Sequence, residues 1–289
     1  MQESMSDNRL KKIARGFIPP FIYSGLARIK VYKKKKAQSG WLTVKNGLLQ
    51  GRQLFLSTVK GGWQESMVEG SYDQFIFEYL QKVDIKGAVI FDVGSHIGFH
   101  ALNFASLVGD KGSVYAFEPN RFNRERMSII LERNPDLAKR IRMFEVALSD
   151  KSGYEDFYFC KDVDGGASSG SFIAKAHTYY PKSQQYLELF EKSPVETVAL
   201  DDIASYIGTD IVPYVMKIDV EGAESSVLQG GVELLKKHRP LIIMEVHSIY
   251  NMLKTYDILQ SAHYKIVLLK EELDGRCFIA AESHTEALP

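Results

Sequence analysis

The stretch FDVGSHIG (91–98) ends an apolar run in a glycine turn and opens into a helical pattern. Gly94 and Gly98 keep side chains away from a turn where a ligand can approach the backbone. A dinucleotide site would ask for glycine at 94, 96 and 99 to cradle a pyrophosphate, and His96 and Phe99 break that pattern. Asp92 sets a negative charge beside the turn, which suits an ammonium group better than a phosphate. The spacing D-x-G-x-x-x-G therefore fits the aminocarboxypropyl end of S-adenosylmethionine better than a nicotinamide dinucleotide. Glu118 closes the next apolar run, SVYAFEP (113–119), at the position where an acid accepts both ribose hydroxyls of an adenosine ligand.

A second set of groups lies far downstream. Asp219 and Glu221 follow the apolar start of PYVMKIDVEG (213–222), and Glu245 and His247 end LIIMEVH (241–247). If both runs are strands of one parallel sheet, their carboxyl ends face one crevice and the four side chains converge there. Lys217, a charge inside an apolar run, must point into or across the sheet and needs an acid as partner. The structural alternative is an ion pair between Lys217 and one of these acids.

The elements that must position these groups follow from periodicity. AVIFDVG (88–94), SVYAFEP (113–119), IRMFEVALS (141–149), PYVMKIDVEG and LIIMEVH read as core strands, and FHALNFASLVG (99–109) as a helix. AESSVLQGGVELLKK (223–237) reads as one helix that tolerates Gly230 and Gly231, at about 1 kcal/mol each. YEDFYFC (154–160) is an extra extended segment, DGGASSGS (164–171) a loop, and HYKIVLL (263–269) with RCFIAA (276–281) a C-terminal hairpin. SYDQFIFEYLQKV (71–83) reads as an amphipathic helix with Phe75, Tyr79 and Leu80 on one face, and WLTVKNGLLQGRQLFLST (41–58) as short strands joined by turns. Strands separated by helical patterns predict a doubly wound, Rossmann-like α/β fold. Its sheet is expected to have seven, mainly parallel, strands ending in the antiparallel C-terminal hairpin.

The 289 residues, 45% of them hydrophobic, suffice for one large α/β domain with an appendage. The net charge of zero conceals an asymmetry: residues 1–64 hold 13 Lys and Arg against two acids, the remainder 23 against 34. Residues 1–70 accordingly read as a basic arm with short strands and 71–289 as the ligand-binding domain. The run Lys33–Lys36 gives the arm affinity for anionic membrane as a peripheral contact, or for the acidic body of the chain itself. GFIPPFIYSGLA (16–27) is too short and proline-broken to span a bilayer, lacks a small-x-small cleavage site and is expected to be retained. Cys160 and Cys277 form neither a disulfide framework nor a zinc motif, and a cytoplasmic location is expected.

FDVGSHIGFHA, YAFEPN, EVALSDKSG, ETVALDD, MKIDVEGAESSVLQGG and RPLIIMEVHS occur in this order. Together they resemble the serial motifs of the FkbM-type methyltransferases over residues 70–247, with KIDVEGAE the most specific. Where that family usually carries Ala-Asn in the glycine turn, this chain has Ser95-His96. The resemblance implies an S-adenosylmethionine-dependent O-methyltransferase acting on a glycan or small metabolite. Carried over by motif, Asp92, Gly94, His96, Gly98 and Glu118 hold the cofactor, Asn120 lies near the ribose and Ala147 near the adenine. Asp219 to Glu224, Glu245 and His247 line the acceptor side. A hydroxyl acceptor has to lose its proton, either to His247 or Glu221 as general base or through a divalent cation on Asp219 and Glu245. The metal-free route is preferred. An N- or nucleic-acid methyltransferase is the alternative enzyme, disfavoured because acids in the crevice repel phosphates and Asp219-Val220-Glu221-Gly222 is not an Asn/Asp-Pro-Pro-aromatic turn. A non-catalytic adenosyl-ligand-binding protein on the same fold is the alternative of another class.

Overall fold

A computed structural model of the chain describes residues 39–58, 62–160, 170–179 and 182–283. The basic stretch 1–38 with its lysine run, and residues 164–169 of the expected loop, lie outside the described residues. Among the described residues the strands form three sheets. In chain order they are β1 (Ser39–Thr43), β2 (Gln53–Ser57), β3 (Val89–Val93), β4 (Ser113–Phe117), β5 (Ile141–Phe144), β6 (Ala147–Ser149) and β7 (Gly153–Cys160). There follow β8 (Phe172–Ile173), β9 (Phe190–Ala199), β10 (Val215–Ile218), β11 (Leu241–Val246), β12 (Tyr264–Glu271) and β13 (Cys277–Ser283).

The principal sheet has seven strands in the order β12-β13-β11-β10-β3-β4-β5. β11, β10, β3, β4 and β5 are parallel neighbours, and β13 runs antiparallel to both β11 and β12. The expected Rossmann-like sheet with its antiparallel hairpin is the observed one. Its central strands are apolar almost throughout because helices cover both faces, as a parallel sheet requires; all four residues of β10 are buried, Lys217 included. Strand order reverses between β3 and β10, so the crevice beyond their carboxyl ends is the topological switch point where ligands of such sheets bind.

The helices that bear on the site are α1 (Trp63–Glu69), α2 (Gln74–Leu80), α3 (Phe99–Val108), α4 (Arg121–Arg133), α5 (Glu224–Gln229), α6 (Val232–His238) and α7 (Ile249–Ser261). α3 is buried on nearly every side. Residues ahead of the sheet supply part of its cover: Leu49, Leu54, Leu56, Met67, Ile76, Phe77 and Leu80 share one apolar core with Phe99, Leu102 and Phe104 of α3. Burying such a side chain stabilises by about 1.5–3 kcal/mol. The face α2 buries is Ile76, Phe77 and Leu80, while Phe75 and Tyr79 pack only at its edge.

Two sequence expectations need correction. IRMFEVALS is two strands, not one: β5 pairs with β4 in the principal sheet, and after Glu145 and fully buried Val146 the chain crosses to β6, which pairs with β9 in a second sheet of order β6-β9-β7-β8. The extended segment 154–160 is β7 without its first residue, Gly153, and lies in this second sheet, whose Phe157, Phe159, Phe172 and Phe190 form a core of their own. The helix expected over 223–237 is broken into α5 and α6 at Gly230-Gly231. A Cβ on Gly230 would stand 2.0 Å from the Ser149 carbonyl oxygen, and one on Gly231 2.7 Å from Leu200 Cβ. The glycines are where β6 and the segment after β9 press against the helix.

Candidate active site

β3 ends at Gly94 (φ 78°), and a Cβ there would lie 1.9 Å from the Asp219 carbonyl oxygen. Gly94 thus serves the contact between the β3 and β10 turns. Gly98 (φ 84°) faces Met127 of α4, whose Cγ would be 2.8 Å from an added Cβ. Both glycines are required by neighbouring protein atoms as well as by any ligand above them. Between them His96 takes φ 51°, its ring packs on Trp63 at 5.5 Å, and its backbone N–H donates to Glu118 Oε2 at 2.7 Å. Burial holds the His96 imidazole down to about 3, so it is neutral.

Glu118 follows β4 directly. Its Oε1 accepts the Asn120 N–H at 2.8 Å and the Asn123 side-chain amide at 3.4 Å. Burial outweighs these donors and raises its carboxyl to about 7. Asn120 acts at one remove: its side-chain oxygen caps α4 by accepting the Phe122 N–H at 3.0 Å, and its amide donates to Ser171 Oγ at 3.0 Å. Ala147 is buried in the core of the second sheet, and it is the next residue, Leu148, that reaches the cavity with Phe157 and Ile173.

That cavity measures about 460 Å³ and runs over the switch point. Of the residues singled out from sequence, Gly94, His96 and Glu118 line one part of it, and Asp219, Glu221 and Glu245 another. Asp92, Gly98, Asn120, Ala147 and His247 do not line it. Asp92 is fully buried behind the turn, with Lys217 Nζ 3.5 Å from its Oδ1. Lys217 also stands 3.5 Å from Asp219 Oδ2 and donates to the Gly94 carbonyl at 3.1 Å. Burial alone would discharge the ammonium, but Asp219 and Asp92 beside it raise its pKa above the ordinary lysine value. Burial likewise works against ionisation of Asp219, yet Lys217 and His247 outweigh it and hold the carboxyl below its usual range. Lys217 is thus both the ion-pair partner expected from sequence and a clamp between the two turns.

His247 lies just beneath the wall. Its Nδ1 is 2.8 Å from Glu224 Oε1, and its Nε2 is 3.7 Å from Glu221 Oε2 and 3.9 Å from both Asp219 Oδ1 and Glu245 Oε1. Burial disfavours the charged ring, but Glu224 and the surrounding acids lift it to about 10. With no face on the cavity, the His247 ring is a poor direct base for an acceptor, contrary to the role expected from sequence. Glu224 is fully buried and is held by the Gly222 N–H at 2.8 Å and by Asn251 Nδ2 at 2.7 Å. Burial and Asp219 raise Glu245 to about 8 against the pull of His247 and Arg276.

Several lining groups were not singled out from sequence. Arg276 forms an ion pair with Glu245 and another with Asp274 at 3.0 Å. It precedes β13, which is antiparallel to β11, so its position at the carboxyl end of β11 was readable from the expected hairpin. Trp63, Tyr72, Asp73 and His100 come from the helical layer ahead of and after β3; His100 Nε2 is 3.2 Å from Asp73 Oδ2. No periodicity marks these as cavity residues.

Residues 92–266 match the family model described as the methyltransferase FkbM domain. The chain belongs to the FkbM methyltransferase family. It is 30% identical over 200 residues to the 2-O-methyltransferase NoeI of Sinorhizobium fredii, a match covering 68% of this chain and 77% of that protein. To the hexuronic acid methyltransferase AglP of Haloferax volcanii it is 25% identical over 230 residues, covering 75% and 84%. A crystal structure of methyltransferase FkbM from Methylobacillus flagellatus aligns with a TM-score of 0.46 at 19% identity, over 71% of this chain and half of that one. As an FkbM methyltransferase the chain uses S-adenosylmethionine as methyl donor. The residues present fit that cofactor. Glu118 is a carboxylate already oriented by two backbone amides, with acceptor capacity left for ribose hydroxyls, and the acid-rich switch point suits a sulfonium and an ammonium group.

Proposed function

We propose that this FkbM methyltransferase transfers a methyl group to a hydroxyl oxygen of a sugar or glycan. In this reading the ribose of the donor lies on Glu118 and the acceptor hydroxyl over Asp219, Glu221 and Glu245. One observation carries it: a single cavity joins the Glu118 rim to a wall of three carboxylates. The names of the two relatives, a 2-O-methyltransferase and a hexuronic acid methyltransferase, supply the acceptor class. The chemistry supplied by bound S-adenosylmethionine is an electrophilic sulfonium methyl, so the protein's work is alignment and deprotonation. In the same reading Glu221, which lines the cavity, takes the hydroxyl proton. Lys217 fixes the two turns relative to each other. Aromatic faces of Trp63, Tyr72 and Phe278 on the same cavity suit the apolar face of a sugar ring. We further assign the basic arm to peripheral contact with an anionic membrane at the cytoplasmic face. No helix among the described residues is long and apolar enough to cross a membrane.

The test is mass spectrometry of glycans from cells with and without the protein, followed by transfer of a labelled methyl group to the acceptor so identified by purified protein. A glycan lacking one methylene increment in the deletion strain is the expected result. Unchanged glycans with a missing methyl on nucleic acid or protein would overturn it.

A further inference from the structure

His247, Asp219 and Glu245 come from the ends of two neighbouring strands, and one donor atom from each falls within a sphere where all lie within 4.8 Å of one another. The Nε2 separations of 3.9 Å from Asp219 Oδ1 and Glu245 Oε1 are longer than hydrogen bonds. Two donors each about 2.0–2.2 Å from a common ion stand about 3 Å apart when adjacent and about 4 Å apart when opposite. Only one oxygen can stand opposite Nε2, so binding an ion would draw at least one of the two carboxylates closer to the ring.

The orientation of the ring is built rather than incidental. Glu224 Oε1 engages Nδ1 at 2.8 Å, and Glu224 is itself tied to the Gly222 N–H and to Asn251. A buried carboxylate on one imidazole nitrogen, with the other nitrogen turned toward further carboxylates, is the outer-sphere arrangement of metal-bound histidines. Ser225 Oγ adds a hydrogen bond to Asn251 at 2.6 Å, so the support extends through α5 to α7. The charges agree. Asp219, Glu221, Glu224 and Glu245 surround the ring, while the fixed cations beside them are Lys217, on Asp219 Oδ2, and Arg276, on one oxygen of Glu245. Asp219 Oδ1 faces His247, and the Glu245 oxygen 3.9 Å from Nε2 is Oε1, the one that Arg276 also holds.

We propose that Asp219, Glu245 and His247 bind a divalent cation of the Mg²⁺ or Mn²⁺ class at the floor of the crevice, with Glu224 as the positioning residue for His247. Two carboxylates and one imidazole favour such an ion over soft-ligand metals. Because Asp219 and Glu245 line the cavity and His247 lies beneath it, the open coordination positions face the acceptor. An ion held there would make an acceptor hydroxyl more acidic, and the hydroxyl proton passes to the Glu221 carboxylate. The oxygen lone pair then forms the new O–CH₃ bond, and the S–CH₃ bonding pair returns to sulfur as a neutral thioether. This deepens the proposed function and rests on its placement of the acceptor.

The test is titration of the full chain with Mn²⁺ alone, read by electron paramagnetic resonance of free and bound ion, beside calorimetric titration with S-adenosylhomocysteine in chelator. Wild type is expected to bind one Mn²⁺; Asp219→Asn, Glu245→Gln and His247→Ala to bind at least tenfold more weakly; and Glu224→Gln to weaken binding about 10–100-fold. Circular dichroism checks that each variant is folded. A wild type that binds no Mn²⁺, or folded triad variants that bind it as wild type does, would overturn the site. The wild-type titration decides even if a variant does not fold. Failure of Mn²⁺ with normal binding of S-adenosylhomocysteine removes the metal and leaves the cofactor reading standing; the reverse removes the cofactor reading alone.

Discussion

At the scale of single residues, Glu118 is the group whose ionisation links the proposed cofactor site to pH. Its folded-state carboxyl stands at about 7, well above the ordinary value, because burial outweighs the two backbone amides that hold it. The folded protein therefore binds the Glu118 proton more tightly than the unfolded chain. Its contribution destabilises the apo protein above about pH 7 and is relieved as pH falls toward the unfolded value. Cofactor binding has the opposite sign, since ribose hydroxyls donate to the ionised form. S-adenosylhomocysteine affinity should hold above about pH 7 and fall by up to tenfold per pH unit below it. Calorimetry across pH 5.5–8 should show this in wild type and a flat, weaker profile in Glu118→Gln; parallel profiles would remove Glu118 from the ribose. Lys217 makes a second residue-scale forecast. Replaced by Met, it leaves Asp92 buried without its cation, a loss of about 3–5 kcal/mol in urea unfolding. Joint replacement with Asp92→Asn should recover part of that loss.

At the scale of elements, close contacts reverse the sign that propensity alone predicts. An alanine in a helix is worth about 1 kcal/mol over glycine, so Gly230→Ala would stabilise a continuous helix. The chain instead needs the glycine, because the new methyl would meet the Ser149 carbonyl at 2.0 Å and push β6 from α5. Urea unfolding of Gly230→Ala should show destabilisation by about 1–3 kcal/mol, the scale of overpacking; a gain would mean that the helix break is a matter of propensity. The same contrast explains what was legible in the sequence. β3, β4, β10 and β11 are buried apolar runs closed by glycine, proline or charge, so they and the strand-end acids Glu118, Asp219, Glu221 and Glu245 could be placed from pattern alone. β9, FEKSPVETVA, was not legible. Its first half is charged and largely exposed, and its partner β7 is remote in sequence. The true contact of Gly98 is with Met127, a packing pair that no local spacing encodes. The cavity residues Tyr72, Asp73 and His100 reach the site through a helical layer that sequence periodicity describes only as core.

At the scale of the whole molecule, the separation of charge sets how the chain meets a surface. The first 64 residues carry 13 cations against two acids, while the remainder carries 23 against 34. An acidic body is repelled by an anionic membrane, so any attraction must come from the arm, at about 1 kcal/mol for each Lys or Arg that reaches the surface. The competing destination for those cations is the acidic body of the same chain, and the two differ in what removing the arm does. If the arm docks on membrane, full-length protein should sediment with vesicles containing phosphatidylserine at low salt and be released as the Debye length falls below about 8 Å above physiological ionic strength. Removal of residues 1–36 should abolish sedimentation while leaving the unfolding midpoint and S-adenosylhomocysteine affinity unchanged, since residues 39–80 supply the packing on α3. If the arm docks on the body, the full-length protein stays in the supernatant and the truncated one unfolds at lower urea concentration, with the difference shrinking in salt. Measuring vesicle sedimentation and urea midpoint on both lengths separates the two, and a truncated protein that sediments as well as the full chain would show that the membrane contact lies elsewhere.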